Sequence, residues 1–464
     1  MRRFLQFVGL FLIITACQPA APPVQGAPGI GDPYYPNLGN GGYDVQNYLI
    51  ILTIEPASSE VNGTVTIKAK TTETLSSFDL DFSGMTVDSV TIDGSKAGYT
   101  RTGDEFAITP NRPLRSGKGF TAVIAYHGSP SAVPAIVGSI PGAVGWIRAE
   151  NGAINVMSEP NGASGWFPSN NHPRDKATYR FEITVPKPWL VAATGILKQT
   201  VDQGRQTKYI WVMDVPMASY LASINVDRFT LKTLPGPHGM VVRSYFPPDY
   251  PEAYRRNFDK LPEMITFLEA VYGPYPFREY GVVVADMDNP LCQGVDTAVE
   301  TQSMSIHCPS SSMSGEDVIV HELAHQWFGD SVSLENWQDI WLKEGMATYA
   351  EWMWVIRDEG LETLTRVARA KMVGYYPAAL TGTPPPDELY RDEVYKGGGL
   401  VFHALRLKVG EETFFKILRT YLGRYKYASA GTDEFIAIAE EVSGQDLHSF
   451  FDSWLYSKHL PPME

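Results

Sequence analysis

The chain of 464 residues carries 38 Lys and Arg against 52 Asp and Glu, a formal charge of −14, with 44% hydrophobic and 12% aromatic residues. That apolar share is enough for large cores, and the length suggests two to three domains. The acidic balance argues against nucleic acid or an anionic membrane surface as a partner, and no apolar run reaches the roughly 20 residues that cross a bilayer.

In chain order, Arg2 and Arg3 precede an apolar stretch from Phe4 to Ile14, too short to span a membrane and shaped like a targeting segment. Thr15, Ala16 and Cys17 follow, and small residues before a Cys at the end of an apolar core resemble the lipobox of bacterial lipoproteins. That resemblance implies lipidation of Cys17 and, with Gln18 next, an outer-membrane destination in a Gram-negative cell. An ordinary cleaved signal with an incidental Cys is the alternative. Residues 18–42 are rich in Pro, Gly and Ala and are expected to form a flexible tether.

Residues 43–231 read as an antiparallel β domain. Val61, Val65, Ile67 and Ala69 alternate with polar neighbours, the period of a half-buried strand. Similar runs cover Tyr48–Ile54, Phe78–Phe82, Val87–Ile92, Thr121–Tyr126, Thr178–Val185 and Tyr209–Met213, punctuated by Gly, Asn, Asp and Ser. From residue 232 the period becomes helical. Phe258, Leu261, Ile265 and Leu268 share one face of a helix expected over Ala253–Tyr272, with Pro262 a candidate kink. Further helices are expected at 316–328, 340–358, 397–410, 411–425 and 432–443.

Residues 321–325 are His-Glu-Leu-Ala-His. On a helix, positions i and i+4 lie nearly in line, so His321 and His325 can bind one Zn²⁺ while Glu322 reaches water beside it. Glu344 follows 19 residues after His325, near the start of the next helix, where its carboxylate completes the ligand set. Two His and one Glu leave a position open, the pattern of a catalytic rather than a structural zinc. Cys292 and Cys308 can pair if the compartment is oxidising, and only their separation in space decides.

HELAHQWFGD (321–330) and WLKEGMATYAE (341–351) are similar to the two signatures of the zinc peptidase family of aminopeptidase N and leukotriene hydrolase. YDVQNYLIILTIEP (43–56), YGPYPFREYG (272–281) and FFDSWLYSKHLPP (450–462) extend the resemblance over nearly the whole chain. It implies an α+β fold: an antiparallel, sandwich-like β domain packed on a thermolysin-like, mainly helical zinc peptidase domain (232–464). Many relatives add a C-terminal helical domain over the cleft; the chain is expected to lack it and to leave the cleft open.

The resemblance also carries roles. Tyr395, in a Tyr-x-Lys-Gly context altered to Tyr-Lys-Gly-Gly, aligns with the family's oxyanion donor and leaves the part of Lys396 open. Glu300, in an altered Gly-Ala-Met-Glu-Asn motif, and Glu159, upstream of Gly165-Trp166-Phe167-Pro168, align with the carboxylates that hold the substrate's α-ammonium. Asp339 is either a support for a zinc-bound His or a helix cap. His172, His307 and His403 read as core or surface residues rather than ligands. The expected activity is zinc-dependent removal of the N-terminal residue of peptides, with Glu322 as base. The alternatives are a zinc endopeptidase with an open cleft, epoxide hydrolysis, and a non-catalytic peptide-binding lipoprotein.

Overall fold

A computed structural model describes residues 22–140 and 142–463 of the chain. The expected targeting segment and Cys17 lie outside the described residues. Among the described residues, no helix is long and apolar enough to cross a membrane.

The first half is built on an eight-stranded sheet in the order 196–202, 206–218, 176–186, 43–55, 60–71, 119–128, 86–92 and 95–96. Its ladders are antiparallel except where Lys176–Pro186 runs parallel to Tyr43–Glu55. Alternation dictates its faces: Val61, Val65, Ile67 and Ala69 all point into the core. Each large aliphatic side chain so buried contributes roughly 1.5–3 kcal/mol. A four-stranded sheet (24–25, 75–81, 105–109, 98–102) and a five-stranded one (132–134, 143–148, 154–157, 224–227, 190–193) complete this half. The short strand Ile154–Met157 matters most for function, because it ends in the loop that carries Glu159.

The expected division at 231/232 falls inside strand Thr230–Pro235, which pairs with Val241–Phe246 in the sheet of the second half. That five-stranded sheet runs 230–235, 241–246, 279–284, 304–307, 298–301, so Ala298–Thr301 is an edge strand. Helices then dominate. The stretch expected as one helix over 253–272 is interrupted: a 3-10 segment at Arg256–Lys260 precedes the helix Leu261–Tyr272, and Pro262 lies in that helix's first turn, where its missing N–H costs nothing. The helix expected at 316–328 is α-helical over Glu316–Ala324, and that at 340–358 over Trp341–Val355. Asp392–Val409 begins five residues before the expected 397, because three consecutive glycines hide the helical period. Helices at Leu361–Met372 and His448–Leu455 were not read from periodicity.

The stretch expected as a flexible tether is instead packed from residue 24. Val24–Gln25 pairs in parallel with Leu75 and Ser77. Asp32 is buried and accepts hydrogen bonds from the backbone N–H groups of Tyr34, Tyr35 and Trp337, while its other neighbour is His172 Nε2 at 3.0 Å. A Pro/Gly-rich composition predicts irregular backbone, and irregular backbone packs when a buried carboxylate finds this many donors.

Candidate active site

The two histidines leave the HELAH helix on one face, with ring centroids 4.9 Å apart. His321 lies in the helix and His325 caps it on helical dihedrals, so the i, i+4 register holds. Glu344 opens the adjacent helix Trp341–Val355, and its Oε2 stands 3.3 Å from His321 Nε2 and 3.4 Å from His325 Nε2. All three residues are buried.

The outer nitrogens are held in place. His321 Nδ1 lies 2.5 Å from Glu351 Oε1, and His325 Nδ1 donates to the Phe328 carbonyl at 3.1 Å. Both Nε2 atoms are therefore aimed at the space Glu344 closes. Glu322 Oε2 is buried with no hydrogen-bond partner among the described residues, and a buried orphan of this kind calls for a ligand or water. Two imidazoles, one carboxylate and this orphan fit one Zn²⁺ with an open coordination position. Burial pushes the Glu322 carboxyl up to about 8.

Glu351 was not singled out from the sequence, although it lies seven residues after Glu344, two turns along the same helix. Asp339, read as either a support for a zinc-bound His or a helix cap, takes the second part and touches neither histidine. It belongs to a capping box with Asn336 and binds Thr432 through its N–H and hydroxyl.

The oxyanion candidate Tyr395 stacks over His321, ring centroids 5.9 Å apart, and faces the cleft. Desolvation raises its phenol well above 10, so it keeps the proton it would donate. Its helix crosses the Glu344 helix at glycine on glycine: a Cβ on Gly345 would meet the Gly398 Cα at 2.6 Å. Any side chain there would drive the two helices, and so Glu344 and Tyr395, apart. Gly397, which replaces the family's Lys, is crowded by a side chain instead of backbone: its Cβ would meet Thr381 Oγ1 at 2.5 Å. Lys396 turns away and packs on the Tyr375 ring at 4.4 Å.

Glu300 lies on the edge strand, yet it is buried and faces the cleft. Gln326 of HELAHQ fixes that strand, donating to the Thr301 carbonyl and accepting from the Ser303 N–H. Glu159 arrives from the β half. Its neighbour Ser158 donates to the Ala222 carbonyl and accepts from the buried Trp166 indole, and Tyr390 donates to Glu159 Oε1 at 2.9 Å. The structure thus brings Glu159 and Glu300 together beside Glu344.

Between them lies a group the sequence reading did not weigh. Lys343 Nζ sits 2.5 Å from Glu159 Oε1, 2.5 Å from Glu300 Oε1 and 2.9 Å from Glu344 Oε1. Burial would strip its proton, but the three carboxylates outweigh that and hold the ammonium charged. Burial and the neighbouring Glu300 charge push Glu159 up while Lys343 draws it down, whereas His325 and Lys343 overcome burial at Glu300 and hold it low. A Lys in a helix rich in Trp, Leu, Met and Ala was the available signal, because a buried Lys is almost always paired.

Apart from the buried Lys343, the carboxylates, histidines and tyrosines of the site line a cleft of about 980 Å³ between the two halves. One wall, bearing Leu291 and Val295, follows the short helix Pro290–Gly294, and Cys292 in that helix is bridged to Cys308, Cα to Cα 5.4 Å. His172, His307 and His403 are all core residues.

Comparison with known proteins agrees with this geometry. The chain matches the Peptidase family M1 domain over residues 256–454 and the Peptidase M1 N-terminal domain over residues 44–221. It is 26% identical over 361 residues to a glutamyl aminopeptidase of Bitis rhinoceros and 25% identical over 358 residues to that of Homo sapiens. Each alignment takes in 70% of this chain, which spans only 37% and 36% of those relatives. The structure superposes on an M1 zinc metallopeptidase from Deinococcus radiodurans with a TM-score of 0.85 and 29% identity, covering 94% of this chain and 98% of that one. A form of the Deinococcus protein bound to a Tyr-Ser-Ala substrate matches with a TM-score of 0.85 at 28% identity, covering 94% of this chain and 99% of that one.

Proposed function

The chain belongs to the M1 peptidase family, and we propose that it is a zinc-dependent aminopeptidase that hydrolyses the N-terminal peptide bond of peptides. The observation that carries this reading is the Glu159–Glu300 pair beside His321, His325 and Glu344, closed around an ammonium group at 2.5 Å from each carboxylate. That ammonium is the protein's own, but the pocket's complementarity to R–NH₃⁺ is the chemistry that reads a free N-terminus.

A zinc ion held by His321, His325 and Glu344 supplies Lewis acidity for the scissile carbonyl and makes water easier to deprotonate. Glu322 takes the proton from the attacking water and returns it to the leaving amine. The Tyr395 phenol donates to the oxygen on which negative charge develops. Glu159 and Glu300 hold the α-ammonium, so the cut falls after the first residue.

The test is a matched peptide pair, one with a free N-terminus and one acetylated, with Glu322→Gln as the inactive control. Release of the first residue from the free peptide alone supports the reading. Equal internal cleavage of both would sink it and favour a zinc endopeptidase. The segment from Arg2 to Cys17 supports export and lipid anchoring of Cys17 to a bacterial envelope; metabolic labelling with a fatty acid, lost in Cys17→Ser, tests that placement.

A further inference from the structure

Lys343 has a side chain with no exposed surface. An ammonium has three N–H donors; Glu159 and Glu300 each accept one, and Glu344 Oε1 adds an ion pair at 2.9 Å. Tyr390 adds its hydroxyl to Glu159 Oε1, the same oxygen that Lys343 holds. The Tyr220 ring lies 6.0 Å from Nζ and backs the charge.

The consequence follows from charge counting. Alone, the anchor pair would offer two negative charges to one incoming amine. Two carboxylates less one ammonium leave a formal charge of −1. An α-ammonium bound to the same carboxylates would face the buried Nζ across them, and like charges repel strongly when the groups between them are buried.

We infer that Lys343 is a specificity-determining residue, a built-in counter-ion in the Glu159–Glu300 anchor that sets how weakly the anchor grips the α-ammonium of a peptide. This deepens the aminopeptidase reading and rests on it. The same side chain also draws Glu344 Oε1 aside and leaves Oε2 toward the two histidines. Zinc content must therefore be measured in every variant, and the decisive readout must not be turnover.

The test uses the full, zinc-loaded chain and its Lys343→Met and Lys343→Gln variants. Calorimetry gives dissociation constants for L-leucinamide and for N-acetyl-L-leucinamide, which lacks the positive charge. The ratio of the two constants, acetylated over free, is expected to rise by about tenfold or more in both variants, with the acetylated ligand little changed. A merely structural role would weaken both ligands together and leave the ratio where it was, which overturns the inference. No preference for the free amine in wild type or variants overturns the aminopeptidase reading as well. A preference in wild type that the variants leave unchanged or reduce overturns the Lys343 role alone. Should neither variant fold, crystals of the wild-type chain with L-leucinamide decide. The expected result has the ligand amine bonded to Glu159 and Glu300 from the cleft, with Nζ still bonded to the same two carboxylates behind it. An amine held elsewhere, or Lys343 swung out into solvent, refutes the inference.

Discussion

Glu351→Ala should weaken zinc binding without touching a ligand. Glu351 Oε1 lies 2.5 Å from His321 Nδ1, so it fixes the ring's orientation and the tautomer that leaves Nε2 free. Hydrogen bonds involving a charged group contribute about 1.5–3 kcal/mol. The Glu351 side chain is 27% exposed, and solvent at that level argues for the lower part of the range, about 1.5–2 kcal/mol. At about 1.4 kcal/mol per decade, the dissociation constant should rise about ten- to thirtyfold. The assay is competition between metal-stripped protein and a chromophoric chelator at neutral pH. Asp339→Ala serves as the comparison, because Asp339 binds Thr432 and caps a helix. It should lower stability and leave zinc affinity alone. A folded Glu351→Ala protein that binds zinc as tightly as wild type would refute the claim that this carboxylate organises His321. Equal weakening in both variants would show that the effect is general loosening.

Tyr395→Phe should lower kcat about 10²–10³-fold with little change in KM, as expected for a donor that acts only on developing charge; a pure KM effect would remove Tyr395 from the oxyanion role. Replacing Cys292 and Cys308 by Ser opens a bridge across 16 residues and should cost about 3 kcal/mol of stability, read by thermal unfolding. Because the bridge braces the Leu291–Val295 wall, KM should rise with it, and unchanged KM would separate the wall from substrate binding. Burial lowers His307 to about 4, against 6.5 in an unfolded chain. Acid between those values protonates the unfolded state first, so this residue's share of stability is lost as pH falls through 6.5 and levels off near 4. His307→Gln should flatten that slope in urea unfolding at pH 7 and pH 4.5, and an identical slope would assign acid sensitivity elsewhere.

Much of the architecture was legible because its signals are local. Alternation at Val61, Val65, Ile67 and Ala69 marks a strand face whatever its partners, and His321 with His325 needs only helical geometry. Glu344 was legible from its spacing, 19 residues after His325, but Glu300 and Glu159 required the family resemblance, since 43 and 184 residues separate the pairs Glu300–Lys343 and Glu159–Lys343 that meet in space. What was left open or missed shares a cause. Asp339 and Glu351 both lie near Glu344 in sequence, and only the direction of the helix tells which faces the histidines. Lys343 was passed over because a Lys is expected to reach solvent, whereas this one is surrounded by the carboxylates it neutralises. The glycines of 397–399 suppressed the helical period while serving the helix's closest packing contact.

The N-terminal strap bears on how this protein can be handled. It pairs with strand Leu75–Asp81 on one side, and through Asp32 and Tyr35 it reaches the Trp337 N–H and the Pro386 carbonyl on the other. It therefore stitches the β half to the half that carries the histidines. A recombinant form trimmed to begin at Tyr43, the first residue of the first long strand, would cut that stitch and leave the His172 imidazole without its buried carboxylate. The sound place to trim is ahead of Val24, and a purification tag is better removed there than deeper in the chain.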